Sequence, residues 1–158
     1  MGNARWFVVL ALFAAQDREK EPAFTWKPDP GHIVVAGHDG GPREASERVI
    51  TDAKTWEGFK KECSGDAARF LKGARVDFEK ERVLVVCLGA DDSLLTQGER
   101  ELAGVRGIVE EKDKMTVHYT HCSSDKASTE PAYPVFVVKA PRSDKKTEFK
   151  KRIRCFGA

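Results

Sequence analysis

The sequence predicts an α+β domain: a mainly antiparallel sheet of short hairpin-connected strands with one principal helix. Three observations carry this expectation. Short runs rich in valine, isoleucine, phenylalanine and tyrosine alternate with turns that hold glycine, proline or aspartate. The stretch after Asp52 repeats apolar residues at helical spacing. Two runs, Val83–Leu88 and Val135–Val138, are apolar on both faces, as strands covered by a layer on each side must be.

At the N-terminus, Arg5 precedes ten apolar residues, Trp6–Ala15, and the polar run Gln16–Glu21 follows. That order reads as a signal peptide over residues 1–15. Ten residues are too few to span a bilayer, which takes about 20 in a helix. The chain is therefore expected to be secreted or to reside in the periplasm or cell envelope, with no integral membrane segment after signal removal. Residues 16–31 read as a linker, first charged and then rich in proline (Pro22, Pro28, Pro30). Phe24 and Trp26 in it are placed to tuck onto the domain that follows, expected over residues 32–158.

Within that domain Ile33–Ala36 is a strand and Gly37–Pro42 a turn. Arg48–Thr51 is a second strand. Asp52 caps a helix over 53–63, its carboxylate accepting an orphan backbone N–H. Trp56, Phe59 and Cys63 share the inward face, while Lys54, Glu57, Lys61 and Glu62 face water. Gly65 is expected to stop the helix, and Ala67–Lys72 to add a helical turn. Arg82–Gly89 is the central strand. Glu101–Glu110 and Lys114–Cys122 are strands around the turn Glu111–Asp113. In the second of them Met115, Val117 and Tyr119 alternate with Thr116, His118 and Thr120, so one face is buried. Ser123–Pro131 is a polar surface loop and Pro141–Lys146 a turn. Tyr133–Lys139 is the other doubly covered strand. The last strand places Thr147, Phe149, Ile153 and Cys155 inward, with Lys146, Glu148, Lys150, Arg152 and Arg154 outward.

Charge and cysteine content narrow the function. Among 158 residues, 27 basic side chains balance 25 acidic ones. A net charge of +2 makes no global field for nucleic acid, and no nucleic-acid partner is expected. The local exception is Lys139–Arg154, with eight basic and two acidic residues. Its row Lys146, Lys150, Arg152 and Arg154 is the candidate partner-binding surface, suited to an acidic protein or a polyanionic envelope polymer. The bland alternative is a solvated face whose lysines keep an edge strand from aggregating. Cys63, Cys87, Cys122 and Cys155 are far apart and include no C-x-x-C pair, so neither a zinc ribbon nor a thioredoxin-type site is indicated. In an exported chain they are expected to form at least one disulfide, the pairing being open.

Catalytic and metal-binding patterns are sparse. His32, His38, Asp39, His118, His121 and Cys122 are the metal-ligand candidates. On a strand His118 and His121 point to opposite faces, and His118 lies about 13 Å from Cys122 at a rise of about 3.3 Å per residue, too far for one ion. There is no Gly-x-Ser-x-Gly elbow. Gly37–Gly41 lacks the lysine and spacing of a phosphate-binding loop. Asp91-Asp92 reads as a solvated turn. No metal, cofactor or enzymatic activity is expected; the alternative is a small metal-binding domain or enzyme assembled from His32, His38 and the 118–122 strand.

Four segments resemble a known family. They are Val49-Ile50 leading into the helix with Trp56 and Phe59, and Val76-Asp77-Phe78-Glu79-Lys80 leading into the valine strand and Gly89. The others are Thr96-Gln97-Gly98 before the next strand, and Tyr133–Val138 running to Pro141. In order and spacing the chain from about Val49 to Arg154 resembles the C-terminal domain of the protease complex subunit PrcB family. Where that family usually has a Gly-Gly-Tyr-like turn, this chain has Gln97-Gly98-Glu99. The resemblance implies an exported, envelope-associated accessory domain that helps to assemble or stabilise a protease or envelope complex and has no activity of its own.

Overall fold

The computed structural model describes residues 20–157. The expected signal peptide and the first linker residues lie outside the described residues. The described chain is α+β with mostly antiparallel sheets. Its elements run β1 (Ile33–His38), β2 (Ser46–Ile50), α1 (Ala53–Glu62), α2 (Gly65–Lys72), β3 (Glu81–Cys87), β4 (Asp91–Ser93), α3 (Gln97–Glu101), β5 (Gly104–Glu110), β6 (Lys114–Ser124), β7 (Ala127–Ala132), β8 (Val135–Pro141) and β9 (Lys146–Phe156).

The centre is a four-stranded sheet in the order β1-β8-β3-β2, antiparallel throughout. Its middle strands β3 and β8 are the two runs that are apolar on both faces. Alternation splits their side chains between two cores. Val83, Val85, Cys87, Val135 and Val137 meet Trp56, Phe59, Ala67 and Leu71 of the helices on one side. On the other, Leu84 and Ala140 meet Ile108, Met115 and Val117, and Val86 and Phe136 meet Tyr119. These last belong to a three-stranded sheet, β5-β6-β9, so the order of layers is helices, central sheet, second sheet.

The helix layer is built as its local chemistry requires. The Asp52 carboxylate accepts the Thr55 N–H at 2.8 Å and the Thr55 hydroxyl at 2.7 Å, which holds the carboxyl below its usual range. Trp56 is 3% exposed and stacks on Phe59 at 5.9 Å. The second helix is a full element, longer than the single turn expected, and Gly65 begins it rather than ending the first. The junction packs tightly on the end of β1, with the Ser64 N–H donating to Gly40 O at 2.7 Å and the Ala67 N–H to Asp39 O at 3.0 Å. A Cβ on Gly40, whose φ is 106°, would sit 2.0 Å from Ser64 O, so only glycine fits there.

Connectivity departs from simple hairpins. β5 and β6 form a hairpin, but β2 reaches β3 through both helices, and β9 runs parallel to β6 from Lys114↔Lys146 to Ser124↔Phe156. Ser123–Pro131, expected to be a loop, instead ends β6 and forms most of β7, which pairs with β4. The stretch expected to open a strand at Glu101 begins with α3, whose N-cap Thr96 and Glu99 form a capping box.

Two buried polar features bind the layers. Arg82, 1% exposed, crosses from β3 to the second sheet, where it donates to Thr147 Oγ1 at 3.0 Å and Met115 Sδ at 2.8 Å. Its Nε is buried without a hydrogen-bond partner among the described residues, and burial lowers its pKa. Tyr119 OH donates to Glu47 Oε1 at 2.6 Å, tying β6 to β2. Burial and that carboxylate together push the phenol upward.

The disulfide expected from the even cysteine count is not formed. Cys63, Cys87 and Cys122 are buried free thiols and Cys155 is an exposed one. Burial, with Cys87 and Glu62 nearby, pushes the Cys63 thiol up to about 11.

Truncation of Trp56 to alanine should cost about 3–5 kcal/mol, read from chemical denaturation; a loss below about 0.5 kcal/mol would mean that the helix face is not core. Under native conditions at pH 8 a thiol reagent should modify Cys155 quickly and the other three only on unfolding. The Cys63 shift stabilises the neutral thiol in the folded state. Its contribution is therefore complete below the unfolded value of about 8.5 and is lost as pH rises towards about 11. Stability should fall across that window, and Cys63→Ala should remove part of the slope.

Candidate functional site

The basic row lies on the outer face of the second sheet, where Thr120 and Cys122 of β6 are buried beside it. β6 and β9 pair in register, so Glu148 stands beside Thr116, Lys150 beside His118, Arg152 beside Thr120, and Arg154 beside Cys122. Side chains two apart on a strand are separated by about 6.6 Å. A ladder of Lys150, Arg152 and Arg154 therefore runs along one side of the face. Arg106 joins it from β5, at the register shift between Val105 and Gly107. Such a bulge re-aims one side chain out of the regular alternation.

The linker crosses this face. Thr25 and Trp26 pair with Ile108 on the outer edge of β5, with backbone bonds of 2.8 to 3.3 Å, and the Thr25 hydroxyl bridges Ile108 O and the Glu110 N–H at 3.0 Å each. Phe24 packs edge-on against His118 at 5.6 Å, with Lys27 Nζ 5.3 Å from its ring centre. Gly107 makes the approach possible, because a Cβ there would lie 2.6 Å from the Phe24 ring. Between this strap and the strands is a groove of about 120 Å³, lined by Glu21, Arg106, His118, Thr120, Lys150 and Arg152 among others. Glu21 Oε1 sits 3.3 Å from Arg106 Nε. Both side chains are over one-third exposed, so their contact is worth no more than about 1 kcal/mol.

The predicted row is thus divided. Lys150 and Arg152 line the groove and Arg154 continues the ladder past it, half-buried. Lys146 stands apart at the start of β9, 75% exposed and paired to Glu148 at 2.9 Å. Arg152 and Arg154 have no ion-pair partner among the described residues. The inward face of β9 also differs from expectation. Phe149 packs in both inner clusters, but Ile153 is 58% exposed and Cys155 is exposed. The β4–β7 ribbon explains this, for it reaches β6 through His121 and leaves β9 bare.

The metal-ligand candidates go to separate neighbours. His32 pairs with Asp29 at 2.8 Å, His38 stacks on Phe70 at 4.3 Å, and His118 meets Phe24. His121 Nε2 lies 3.0 Å from Asp91 Oδ2. Among the described residues no three His, Cys, Asp or Glu side chains gather as a metal site. Asp91, expected in a solvated turn, is instead largely buried on β4. Burial pushes its carboxyl up, but the Ser93 N–H and His121 outweigh that and hold it below the usual range. His121 Nδ1 is buried without a hydrogen-bond partner among the described residues, so nothing links the imidazole to the thiol of Cys122 as a base to a nucleophile.

A larger cleft, of about 500 Å³, opens between β1, α3 and the start of β8, with Ala36, Leu88, Leu95, Pro134 and Phe136 among its apolar lining. Its acidic groups are already engaged. Asp39 accepts the Tyr133 N–H at 2.6 Å, Asp91 holds His121, and Glu101 lies 3.4 Å from Gln97 Nε2.

Sequence reading found the ladder on β9 but missed Arg106 and the strap. A bulge and a non-local edge pairing leave no periodic signal; the apolar Phe24 and Trp26 in a polar linker are the one trace. No protein family, no curated protein and no solved structure matches the chain.

Replacing Gly107 with alanine should lift the strap, because the three atoms nearest to a Cβ there all belong to Phe24 and Trp26. Cleavage by chymotrypsin after Phe24 and Trp26 should then accelerate while cuts within the strands do not. Unchanged cleavage would mean that the strap does not depend on this contact.

Proposed function

We propose that the protein is an exported, non-enzymatic accessory domain that binds a protein partner through the basic outer face of the β5-β6-β9 sheet. The observation that carries this reading is the ladder Lys150, Arg152 and Arg154 with Arg106 beside it, on which a carboxylate, that of Glu21, is already seated. Cations repeated every second residue on a rigid strand present charge at fixed spacing. That geometry favours an acidic protein surface and speeds its approach. The weak Glu21 contact is one that a partner with several acidic groups can displace.

A protein is favoured over an envelope polyanion because Pro22 and Phe24 line the groove beside Lys150 and Arg152, an apolar contact that a uniformly charged polymer does not use. Binding is favoured over catalysis because the histidines are dispersed and the buried thiols of Cys63, Cys87 and Cys122 are raised towards their neutral form. The resemblance of Val76–Gly89 and Tyr133–Pro141 to the PrcB C-terminal domain is the ground for placing the partner in a protease or envelope complex. No described helix is long and apolar enough to cross a membrane.

Site-directed photocrosslinking in the cells that make the protein tests this. A photoreactive residue in place of Lys150, exposed on the outer face of β9, should capture a discrete protein far more efficiently than one in place of Lys54 on the helix face. Adding Arg152→Glu and Arg154→Glu should cut the adduct by about tenfold or more. Equal capture at both positions, or capture indifferent to charge reversal, would refute the assignment.

A further inference from the structure

The groove beside the strap draws its walls from three strands. Arg106 stands at the bulge of β5, opposite the step from His118 to Tyr119 on β6, and Arg152 of β9 pairs with Thr120 on the other side of β6. Neighbouring strands lie about 4.8 Å apart, so the two arginines flank β6 at roughly 10 Å between backbones. Both are half-buried and both line the groove. Between them Thr120, 1% exposed, lines it as well, and its hydroxyl makes no hydrogen bond among the described residues. Buried polar groups are nearly always paired, so an idle hydroxyl between two guanidinium groups is one that a ligand can satisfy.

We infer that this groove holds a phosphate group, as a monoester or as the free ion, between Arg106 and Arg152. Charge decides the class. Glu21 rests on Arg106, and Arg152 has no ion-pair partner among the described residues, so one carboxylate balances only half of the pair. A phosphate monoester brings a charge of about −1.5 to −2 at neutral pH and three strong acceptor oxygens. One oxygen can accept from each arginine and the third from the Thr120 hydroxyl. A carboxylate has a single charge and two oxygens, and so does the free part of a phosphodiester; each leaves one of the three donors idle. The size agrees, since about 120 Å³ is the share of about four waters at roughly 30 Å³ each, room for one phosphate group. Pro22 and Phe24 line the same groove, so the organic part of a monoester has an apolar wall to lie against. Lys150 and His118 line it too, but the count of charge and donors needs neither.

The inference goes beyond the docking of a protein partner and holds whether or not one binds elsewhere on the face. Glu21 becomes an internal competitor for the site. Its contact with Arg106 is weak and partly exposed, so a dianion displaces it. The strap need not leave with it, because Thr25 and Trp26 hold it to Ile108 through the backbone. A nucleic acid, whose phosphates are diesters of one charge each, is the poorer occupant.

The test is calorimetric titration of the full chain, at fixed ionic strength and about pH 7.5, with phenyl phosphate, inorganic phosphate, methyl phenyl phosphate and phenylacetate. Phenyl phosphate should bind about tenfold more tightly than the diester or the carboxylate, or better. Phenyl phosphate binding more tightly than inorganic phosphate assigns the site to a monoester, and equal binding assigns it to the free ion; both support the inference. Arg152→Gln and Thr120→Val should each weaken phenyl phosphate by about tenfold while the amide spectrum stays that of the parent. Glu21→Gln should strengthen it by about twofold or more. Lys146→Gln, outside the groove, should change nothing. No binding of phenyl phosphate at millimolar concentration, or equal binding of the diester or of phenylacetate, would overturn the inference. So would equal losses with Lys146→Gln and Arg152→Gln, which would show a diffuse field in place of a site. If Thr120→Val disturbs the fold, Glu21→Gln still decides, because an unchanged affinity would mean that the anion does not take the place beside Arg106.

Discussion

Two strands that are apolar on both faces set the constraint from which the rest of the molecule follows. β3 and β8 cannot lie at a surface, so the chain must supply a layer on each side of them. The helices of 53–72 supply one. The other cannot come from a hairpin alone, because β5 and β6 cover too little; β9 returns after β8 to widen it, and does so parallel to β6. The second sheet therefore exists to bury Leu84, Val86 and Phe136. Its own outer face, which the linker crosses, becomes the place where charge can gather.

Burial on this plan has a boundary, and the polar groups mark it. Arg82 and Tyr119 both lie between the sheets and both find partners on the facing layer, Arg82 at Thr147 and Met115, Tyr119 at Glu47. A buried guanidinium with one unsatisfied nitrogen is a costly choice in place of an apolar side chain. What it supplies is register: Thr147 opens β9, so the contact pins the start of the strand that carries the basic ladder. Beyond Phe149 the central sheet has no more strand to offer, and Ile153 comes out into solvent.

Local chemistry was legible in the sequence wherever one element decides the outcome. The Asp52 cap, the Trp56–Phe59 face, the doubly apolar strands and the outward row of Lys150, Arg152 and Arg154 follow from spacing alone. Features set by distant residues were not. His121 draws Asp91 out of an apparent turn into a buried pair, and Ser123–Pro131 becomes strand only because β4 is there to pair with it. Cys63 and Cys87 lie in the same core cluster, yet as small apolar fillers rather than as a bridge. The inward assignment of Ile153 and Cys155 failed for the opposite reason: the alternation is real, but the layer it points to stops short. Arg106 and Glu21 meet through a bulge and a strap anchored 85 residues away in sequence, which no local pattern encodes.

The two exposed edges of the second sheet are treated differently, and the difference bears on function. At β5 the linker caps the edge with its own backbone, using Thr25 and Trp26. At β9 no described strand does so, and charge takes the place of a cap. Charge of one sign is an incomplete block. It repels another copy of itself and any basic or neutral strand that gains nothing from the cations, but it attracts an acidic group. A capped edge is closed to all partners, whereas a cationic edge is closed to most and open to a chemical class. The proximity of Glu21 to Arg106 fits this logic, since the strap that seals β5 also rests an acidic side chain on the ladder's neighbour. An edge defended in this way combines protection from aggregation with selection of a partner, and one arrangement of side chains does both.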